Sequence, residues 1–350
     1  MSEIRMNKNL PLVAVVLQNL GGPSTLADVE PFLVNLFMDE DIIKIPFSGP
    51  SRKVLSKLIA GLRSVAVRKK YAEIGGGSPL NCWTELQQIA LEKLLNSTSS
   101  PYQFKVVTAM RYWKPFTNDT LAELLKHPVD TVIQLPLYPQ FSYTTSGSGF
   151  REWEKQVSHL TPTPTWKNLL VKDYHLNPWY IKAINDRITE GLKRFPESIR
   201  NQVHIVFSAH GTPVSEREAG DPYSIQIEAT RQAVMKLRPI QETHWLMFQS
   251  KVGPSRWLEP NADTFIPLIS SYGIKHVLVI PIAFVSDHIE TVHEIGIEFA
   301  ELAHESGIKQ FEFTQGLNDH PDFIQALRYE VLRVLGLGVS TPVEGMYFQN

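Results

Sequence analysis

His210 and Glu290 are the residues of this chain whose types and surroundings best suit chemistry. The first lies in Phe207-Ser208-Ala209-His210-Gly211-Thr212-Pro213, the second in Val285-Ser286-Asp287-His288-Ile289-Glu290-Thr291. Each follows a short apolar run, His204–Phe207 and His276–Ile280, that reads as a strand covered on both faces. Ligand sites of open α/β sheets gather just beyond the carboxyl ends of such strands. An imidazole and a carboxylate delivered to that edge can hold a borderline divalent metal or move protons. The residues alone leave a competing reading open, because a single histidine after a strand is more often a hydrogen-bonded structural group. Asp287 and His288 share the turn with Glu290 and either orient it or, for Asp287, cap a helix.

The segment after Glu290 reads as a helix over Ile289–His304. Glu290, Glu294 and Glu298 fall at i, i+4 and i+8, a stripe spaced roughly 6 Å along an α-helix axis. Ile289, Val292, Ile295, Phe299 and Leu302 form its back. Periodicity alone describes a solvated acidic face on an apolar support. Like charges at i, i+4 cost ~0.2–0.5 kcal/mol per pair, so the stripe does not serve helix stability.

The elements that must position these groups alternate along the chain. Strands are predicted at Leu12–Leu17, Phe104–Thr108, Thr131–Leu135, His204–Phe207, Trp245–Phe248, His276–Ile280 and Phe311–Phe313. A helix is predicted to start near Thr25, with others at Ser51–Lys70, Trp83–Leu95, Asn118–Lys126, Pro178–Phe195, Ser224–Leu237, Asp263–Ser271, Ile289–His304 and Pro321–Leu335. Such alternation implies βαβ units and a mostly parallel α/β architecture. The halves also echo each other: Val15 to Pro23 and Ile205 to Pro213 both read strand, small turn, proline. This predicts two similar lobes around a cleft, divided near Val171–Leu176.

Composition narrows the function classes. The chain has 350 residues, 43% of them hydrophobic and 20% charged, which suits a globular protein with room for two lobes. The net charge of −2 gives no bulk attraction to nucleic acid. Cys82, the single cysteine, makes neither an intrachain disulfide nor a four-thiolate metal site, and a reducing compartment is the default. No apolar run reaches the ~20 residues of a membrane span. Leu12–Leu17 runs into Gly21-Gly22-Pro23 without a small-residue cleavage site, so it reads as a strand rather than a signal peptide. The expected setting is the cytoplasm. Gly75-Gly76-Gly77-Ser78 has no lysine and Ser/Thr in P-loop spacing, and Gly21-Gly22-Pro23 lacks the dinucleotide fingerprint.

Eight segments, in order between Val13 and Leu327, carry a family resemblance. They are Leu20-Gly21-Gly22-Pro23, Tyr71 to Pro79, Met110-Arg111-Tyr112, Tyr138-Pro139-Gln140, Ser208-Ala209-His210, Asp221-Pro222-Tyr223, Gln249 to Pro254, and Ser286 to Glu290. In these the chain resembles ferrochelatases, the enzymes that insert Fe²⁺ into protoporphyrin IX in the last step of haem synthesis. The resemblance implies two Rossmann-like lobes, each a parallel sheet flanked by helices, with a porphyrin cleft between them. The expected division is 1–172 for the first lobe, with a porphyrin lip at 41–70, and 173–320 for the second. A helix at 321–336 then packs back on the first lobe, and 337–350 is a frayed tail.

The resemblance also assigns roles. His210 and Glu290 match the active-site pair, with iron ligation and proton acceptance both compatible. Asp287, His288, Glu294 and Glu298 become supports or parts of a proton or metal track. Gly296 stands where many relatives carry an acid. Arg63, Tyr71 and Ser78 match propionate-binding positions, and Leu20, Arg111, Tyr138 and Trp257 are further cleft candidates. No tightly bound cofactor is implied, Fe²⁺ being a substrate. Some relatives hold a two-iron cluster on four cysteines, one in the stretch after Tyr-Pro-Gln; here that place is Tyr143, so no iron–sulfur cluster is expected. Leu20 stands where coproporphyrin-specific relatives usually have tyrosine, which favours protoporphyrin over coproporphyrin III. A non-enzymatic haem carrier on the same scaffold would not need both His210 and Glu290.

One segment keeps two readings. From Ser51 to Lys70 there are basic residues at Arg52, Lys53, Lys57, Arg63, Arg68, Lys69 and Lys70 and no acid. It is either an amphipathic helix with a basic solvated face or a peripheral contact with an anionic membrane surface, at the inner face of the membrane.

Overall fold

The computed structural model describes residues 10–42, 48–240, 242–251 and 255–342. Ile43, Ile45, Pro46 and Phe47 of the expected lip, Val252 to Pro254, and residues 343–350 of the expected tail lie outside them.

Two parallel four-stranded sheets organise the chain. The first contains β1 (Leu12–Asn19), β2 (Gln103–Met110), β3 (Val129–Pro136) and β4 (Lys167–Leu170), in the order β2-β1-β3-β4. The second contains β5 (His204–His210), β6 (His244–Gln249), β7 (His276–Pro281) and β8 (Gln310–Phe313), in the order β6-β5-β7-β8. The order repeats, so the echo between Val15–Pro23 and Ile205–Pro213 marks the two central strands, β1 and β5. Every residue of β1 is buried, as expected of a strand sandwiched between helical layers.

β5 extends three residues beyond the predicted Phe207. Ser208, Ala209 and His210 pair with Met247, Phe248 and Gln249 of β6, and the Ser208 hydroxyl bonds Gln249 Oε1 at 2.6 Å. The polar residues that ended the apolar run are thus satisfied inside the sheet. β4 escaped prediction because an edge strand with exposed Lys167 and Asn168 leaves little apolar signal.

The flanking helices are α1 (Val29–Met38), α2 (Gly49–Glu73), α3 (Leu80–Asn96), α4 (Thr117–Leu124), α5 (Ser146–Ser158), α6 (Pro178–Leu192), α7 (Val214–Glu218), α8 (Tyr223–Met235), α9 (Ala262–Ser271), α10 (Ala300–Glu305) and α11 (Pro321–Val334). The predicted start near Thr25 is a single 3₁₀ turn, Leu26–Asp28, with the Asp28 carboxylate accepting the Thr25 amide at 3.0 Å; α1 follows it. α5 opens with Ser146-Gly147-Ser148-Gly149, a loop-like sequence, and is held as a helix by Trp153 buried against the first sheet. α11 packs on both α6 and α3. One apolar core runs from β1, β3 and α3 through α6 and α11 into β5 and β7. The indole of Trp179 donates to the Ser340 carbonyl at 2.7 Å, which holds the start of the tail.

α2 inverts the usual arrangement. Its buried residues are Arg52, Ser56, Ala60, Ser64 and Tyr71, packed against α1, whereas Val54, Leu58, Leu62 and Val65 point outward, 69%, 60%, 75% and 61% exposed. Small side chains let the two helices approach closely. The outward face is therefore not simply basic, as an ordinary amphipathic helix would have it; it is an apolar stripe with lysines and arginines beside it.

Candidate functional site

His210 ends β5, and Glu290 follows the turn after β7. β5 and β7 are neighbours flanked by β6 on one side and β8 on the other, so the crevice between their carboxyl ends is the point where strand order reverses. Across it His210 Nδ1 lies 2.8 Å from Glu290 Oε2. The imidazole is 38% exposed and the carboxylate 25%, so the pair is open to a ligand on one side. Burial disfavours the imidazolium, but the carboxylates of Glu290 and then Glu294 outweigh it, and His210 titrates above its ordinary value. Burial likewise works against the Glu290 carboxylate, and His210 outweighs it to hold Glu290 below the usual carboxylate range. Because a carboxylate occupies Nδ1, the neutral ring carries its lone pair on Nε2.

The ring is also fixed through its backbone. The Tyr223 hydroxyl donates to the His210 carbonyl at 3.0 Å, and Asp221 accepts the Tyr223 amide at 2.9 Å. The other oxygen of Asp221 accepts from Ser142 Oγ and the Tyr143 amide, both at 2.8 Å, which ties this corner to the first lobe. Trp257 packs over Gly211: a Cβ there would stand 3.3 Å from the indole and 2.7 Å from the Gln249 carbonyl. Only glycine fits beside the histidine.

Glu290 does not begin the α-helix that its spacing predicts. Glu290–Phe299 is a π-helix running into α10. Bonding from i to i+5 widens the turn, and such segments frequently occur at functional sites. Glu294, one step along, accepts from Gln249 Nε2 at 3.1 Å, the Ser250 amide at 2.9 Å and Ser250 Oγ at 2.7 Å. Ser250 Oγ is also 3.4 Å from Glu290 Oε2, so one hydroxyl lies between the two carboxylates. Ser250 holds φ +64°, a left-handed conformation for which these bonds compensate. Burial, reinforced by the charge of Glu290, pushes Glu294 up to about 7. Glu298 pairs with Lys70 of α2 at 2.6 Å, and His293 Nε2 meets Glu73 of α2 at 2.7 Å. The glycine at 296 has a packing cause: a Cβ there would lie 2.7 Å from Cζ of Phe313 on β8, so an acidic side chain would have to displace the ring.

The turn before Glu290 is braced from outside itself. Asp287 touches Thr291, Gly316 and Asn318 rather than Glu290. His288 is buried against Phe284, ring centroids 4.6 Å apart, with Nδ1 3.1 Å from the Ser286 carbonyl; burial lowers its pKa. Gln87 of α3 reaches across from the first lobe to Ser286 and Asn318.

The first-lobe candidates divide into three groups. Leu20 and Tyr138 follow β1 and β3, at that sheet's own switch point, and with Arg111 line one small cavity. The Ser78 hydroxyl acts on the Tyr71 phenol, and the charge of Glu290 reaches both Tyr71 and Tyr138. Burial first, then that negative charge, pushes both phenols well above their ordinary value. Arg111 is committed elsewhere: its guanidinium bonds Asp39 at 2.9 Å and Ser148 Oγ at 2.9 Å. Asp39 lies below its ordinary value because Arg111 and hydrogen bonds from Tyr112, the Asp41 amide and Ser148 outweigh its burial. Arg63 is exposed on α2 above the Phe37 ring, 5.9 Å from its centroid. Gln249, Ser250, Tyr223 and Asp221 belonged to family-like segments without an assigned role, and Gln87 was not singled out at all. Its signal was a polar residue on the otherwise mainly apolar stripe Leu80, Thr84, Gln87, Leu91, Leu95. A separate cluster, Asp186, His320 and Asp322, already holds the Lys182 ammonium, 2.6 and 2.5 Å from its two carboxylates.

Comparison with known proteins gives a consistent result. The sequence model of the Ferrochelatase family matches residues 12–334. Relatives named ferrochelatase include those of Trichodesmium erythraeum, 42% identical over 92% of this chain and 82% of the relative, and Gloeothece citriformis, 44% identical over the same shares. The Synechocystis relative is 43% identical over 91% of this chain and 82% of its own length. Among solved structures, a sirohydrochlorin chelatase from Bacillus subtilis in complex with cobalt superposes with a TM-score of 0.52 at 10% identity, covering 92% of this chain and 94% of that one. A multi-domain Deinococcus radiodurans protein described as similar to chelatases gives 0.51 at 13% identity, over 94% of this chain and 56% of that one. At such identities these two speak for the fold alone.

Proposed function

The chain belongs to the ferrochelatase family, and we propose that it inserts Fe²⁺ into protoporphyrin IX at the β5/β7 crevice, releasing two protons. The observation that carries this reading is the His210–Glu290 contact at 2.8 Å. A free porphyrin carries two pyrrole N–H protons, and the metal must replace both. His210 Nε2 takes a pyrrole proton or ligates the entering iron, and Glu290 stabilises the resulting positive charge from the Nδ1 side. Ser250 and Glu294 continue the path outward. A carboxyl group titrating near 7 can accept and release protons at neutral pH, which suits an outlet. Leu20, Tyr138, Tyr71 and Ser78 form the opposing wall, with an aliphatic side chain for the ring and hydroxyls for its carboxylates.

Fe²⁺ is a substrate and the protein carries no iron–sulfur cluster, because such clusters need several thiolates and the chain has one cysteine; acid-labile sulfide in stoichiometric amount in anaerobically purified protein would refute this. The porphyrin side makes peripheral contact with an anionic membrane surface through Val54, Leu58, Leu62 and Val65, with Lys53 and Lys57 meeting headgroups. The compartment is the cytoplasm; no described helix is long and apolar enough to cross a membrane. The central test is anaerobic Fe²⁺ or Zn²⁺ insertion into protoporphyrin IX and coproporphyrin III side by side. Insertion into neither porphyrin sinks the proposal, and preference for coproporphyrin moves it to the tetracarboxylate.

A further inference from the structure

We propose that Gln87 is a positioning residue for Glu290, setting from the first lobe the turn that presents this carboxylate to His210. The inference rests on the metal-insertion reading above. Gln87 lies on the buried stripe of α3 and is fully enclosed. Its Nε2 donates to Ser286 Oγ at 2.8 Å and to the Asn318 carbonyl at 2.8 Å, groups 199 and 231 residues away in the other lobe. Ser286 belongs to the Val285–Thr291 turn, and Asn318, in the loop between β8 and α11, is bonded to the head of that turn. The Asn318 amide donates to the Val285 carbonyl at 2.7 Å. Its side chain exchanges two bonds with Asp287, accepting the Asp287 amide at 2.9 Å and donating to Oδ2 at 2.8 Å. Asp287 Oδ1 in turn accepts from the Gly316 amide at 2.9 Å and Thr291 Oγ1 at 3.1 Å, and Thr291 Oγ1 accepts the His288 amide at 3.0 Å. A continuous chain of bonds thus leads from Gln87 to the residue following Glu290.

Stability alone is a poor explanation for this amide. Gln87 Oε1 is buried and unpartnered among the described residues, a desolvation cost that an aliphatic side chain on the same stripe would avoid. Asn318 holds φ +51°, so the loop that receives the amide is itself in an uncommon conformation. Both features make sense if the bonds fix where the turn sits relative to the first lobe. Without them the turn is free to shift, and displacement of a reacting group by ~1 Å can cost on the order of 10²-fold in rate.

The test compares the wild-type protein with Gln87→Met, Ser286→Ala and the double variant. Zn²⁺ insertion should fall about tenfold or more in kcat in each single variant, with KM for porphyrin within about twofold, and the double variant should be no worse than the worse single one. Amide hydrogen exchange at His288 and Thr291 should accelerate in all three, a readout independent of turnover. Wild-type kcat in folded Gln87→Met, or exchange at these amides unchanged while activity falls only with the folded fraction, overturns the inference. Should Gln87→Met fail to fold, Ser286→Ala carries the same expectations and decides. A wild-type protein that inserts no metal would refute the proposed function instead, and the exchange comparison would still judge the positioning role.

Discussion

The two lobes share one strand order but carry different groups at their switch points. In the first lobe the crevice between β1 and β3 is faced by Leu20 and Tyr138 together with Arg111, which is paired with Asp39. In the second, the crevice between β5 and β7 is faced by His210 and Glu290. Leu20 occupies the place in the first echo that His210 occupies in the second. One topology thus supplies an aliphatic and phenolic wall on one side and a titrating pair on the other. The backbone provides only the edge where ligands gather, and side chains decide whether that edge binds or reacts.

The comparison breaks most sharply at the His210–Glu290 pair. His210→Ala and Glu290→Gln should each lower metal insertion by about 10²–10⁴-fold, the range for a positioned acid–base group, with the melting temperature little changed and porphyrin still quenching protein fluorescence. The double variant should be barely worse than either single one if the pair acts as a unit. Near-normal turnover in His210→Ala would remove the chemistry from the β5/β7 crevice. A collapsed melting temperature with lost turnover would assign the pair to structure.

The aliphatic wall should matter less. Protoporphyrin should be metallated with about tenfold higher kcat/KM than coproporphyrin III, since a single apolar contact is worth ~1–3 kcal/mol. Leu20→Tyr should narrow that ratio; a ratio unmoved by the substitution would separate Leu20 from substrate choice.

A smaller effect concerns pH. Glu294 is raised from 4.5 to about 7 in the folded protein. A group raised on folding stabilises the fold fully below its unfolded value and loses that contribution as pH rises through the folded one. The wild type should therefore lose stability relative to Glu294→Gln between about pH 4.5 and 7. The melting-temperature difference, variant minus wild type, should grow from pH 5 to pH 8. A flat difference would mean that Glu294 is an ordinary solvated carboxylate.

The lip should give the smallest effect on the folded protein. Leu58→Glu and Leu62→Glu replace outward side chains and should change stability by no more than about 0.5 kcal/mol. Sedimentation with vesicles containing anionic lipid should nevertheless fall. Equal sedimentation of variant and parent would leave the apolar stripe without a lipid role.

Much of this arrangement was legible before any coordinates. Apolar runs bounded by glycine and proline located β1, β5 and β7, and strand ends plus residue type made His210 and Glu290 candidates whose role only the family resemblance assigned. Such features are recorded locally, because a strand buried on both faces must be apolar throughout. Where residues satisfy one another at a distance, the local record misleads. Ser208 looked like the end of a strand until Gln249 received its hydroxyl. The sequence of α2 left open an amphipathic helix with a basic solvated face or a membrane contact, and neither reading foresaw that α1 claims its small residues and leaves the leucines outside.

What the sequence by itself determined is therefore the alternating α/β plan, the repeated strand-turn-proline units, and two candidates for chemistry, His210 in the second unit and Glu290 after the strand β7. Tertiary structure alone decided that Glu290 opens a π-helix, that a Cβ at Gly296 would meet the Phe313 ring, that Arg111 is taken by Asp39, and that Gln87 reaches across 199 residues to Ser286 in the turn before Glu290. Periodicity reports how each segment meets a core averaged over its own length. Pairing between polar groups far apart in the chain has no period, and it becomes visible only when the lobes are brought together.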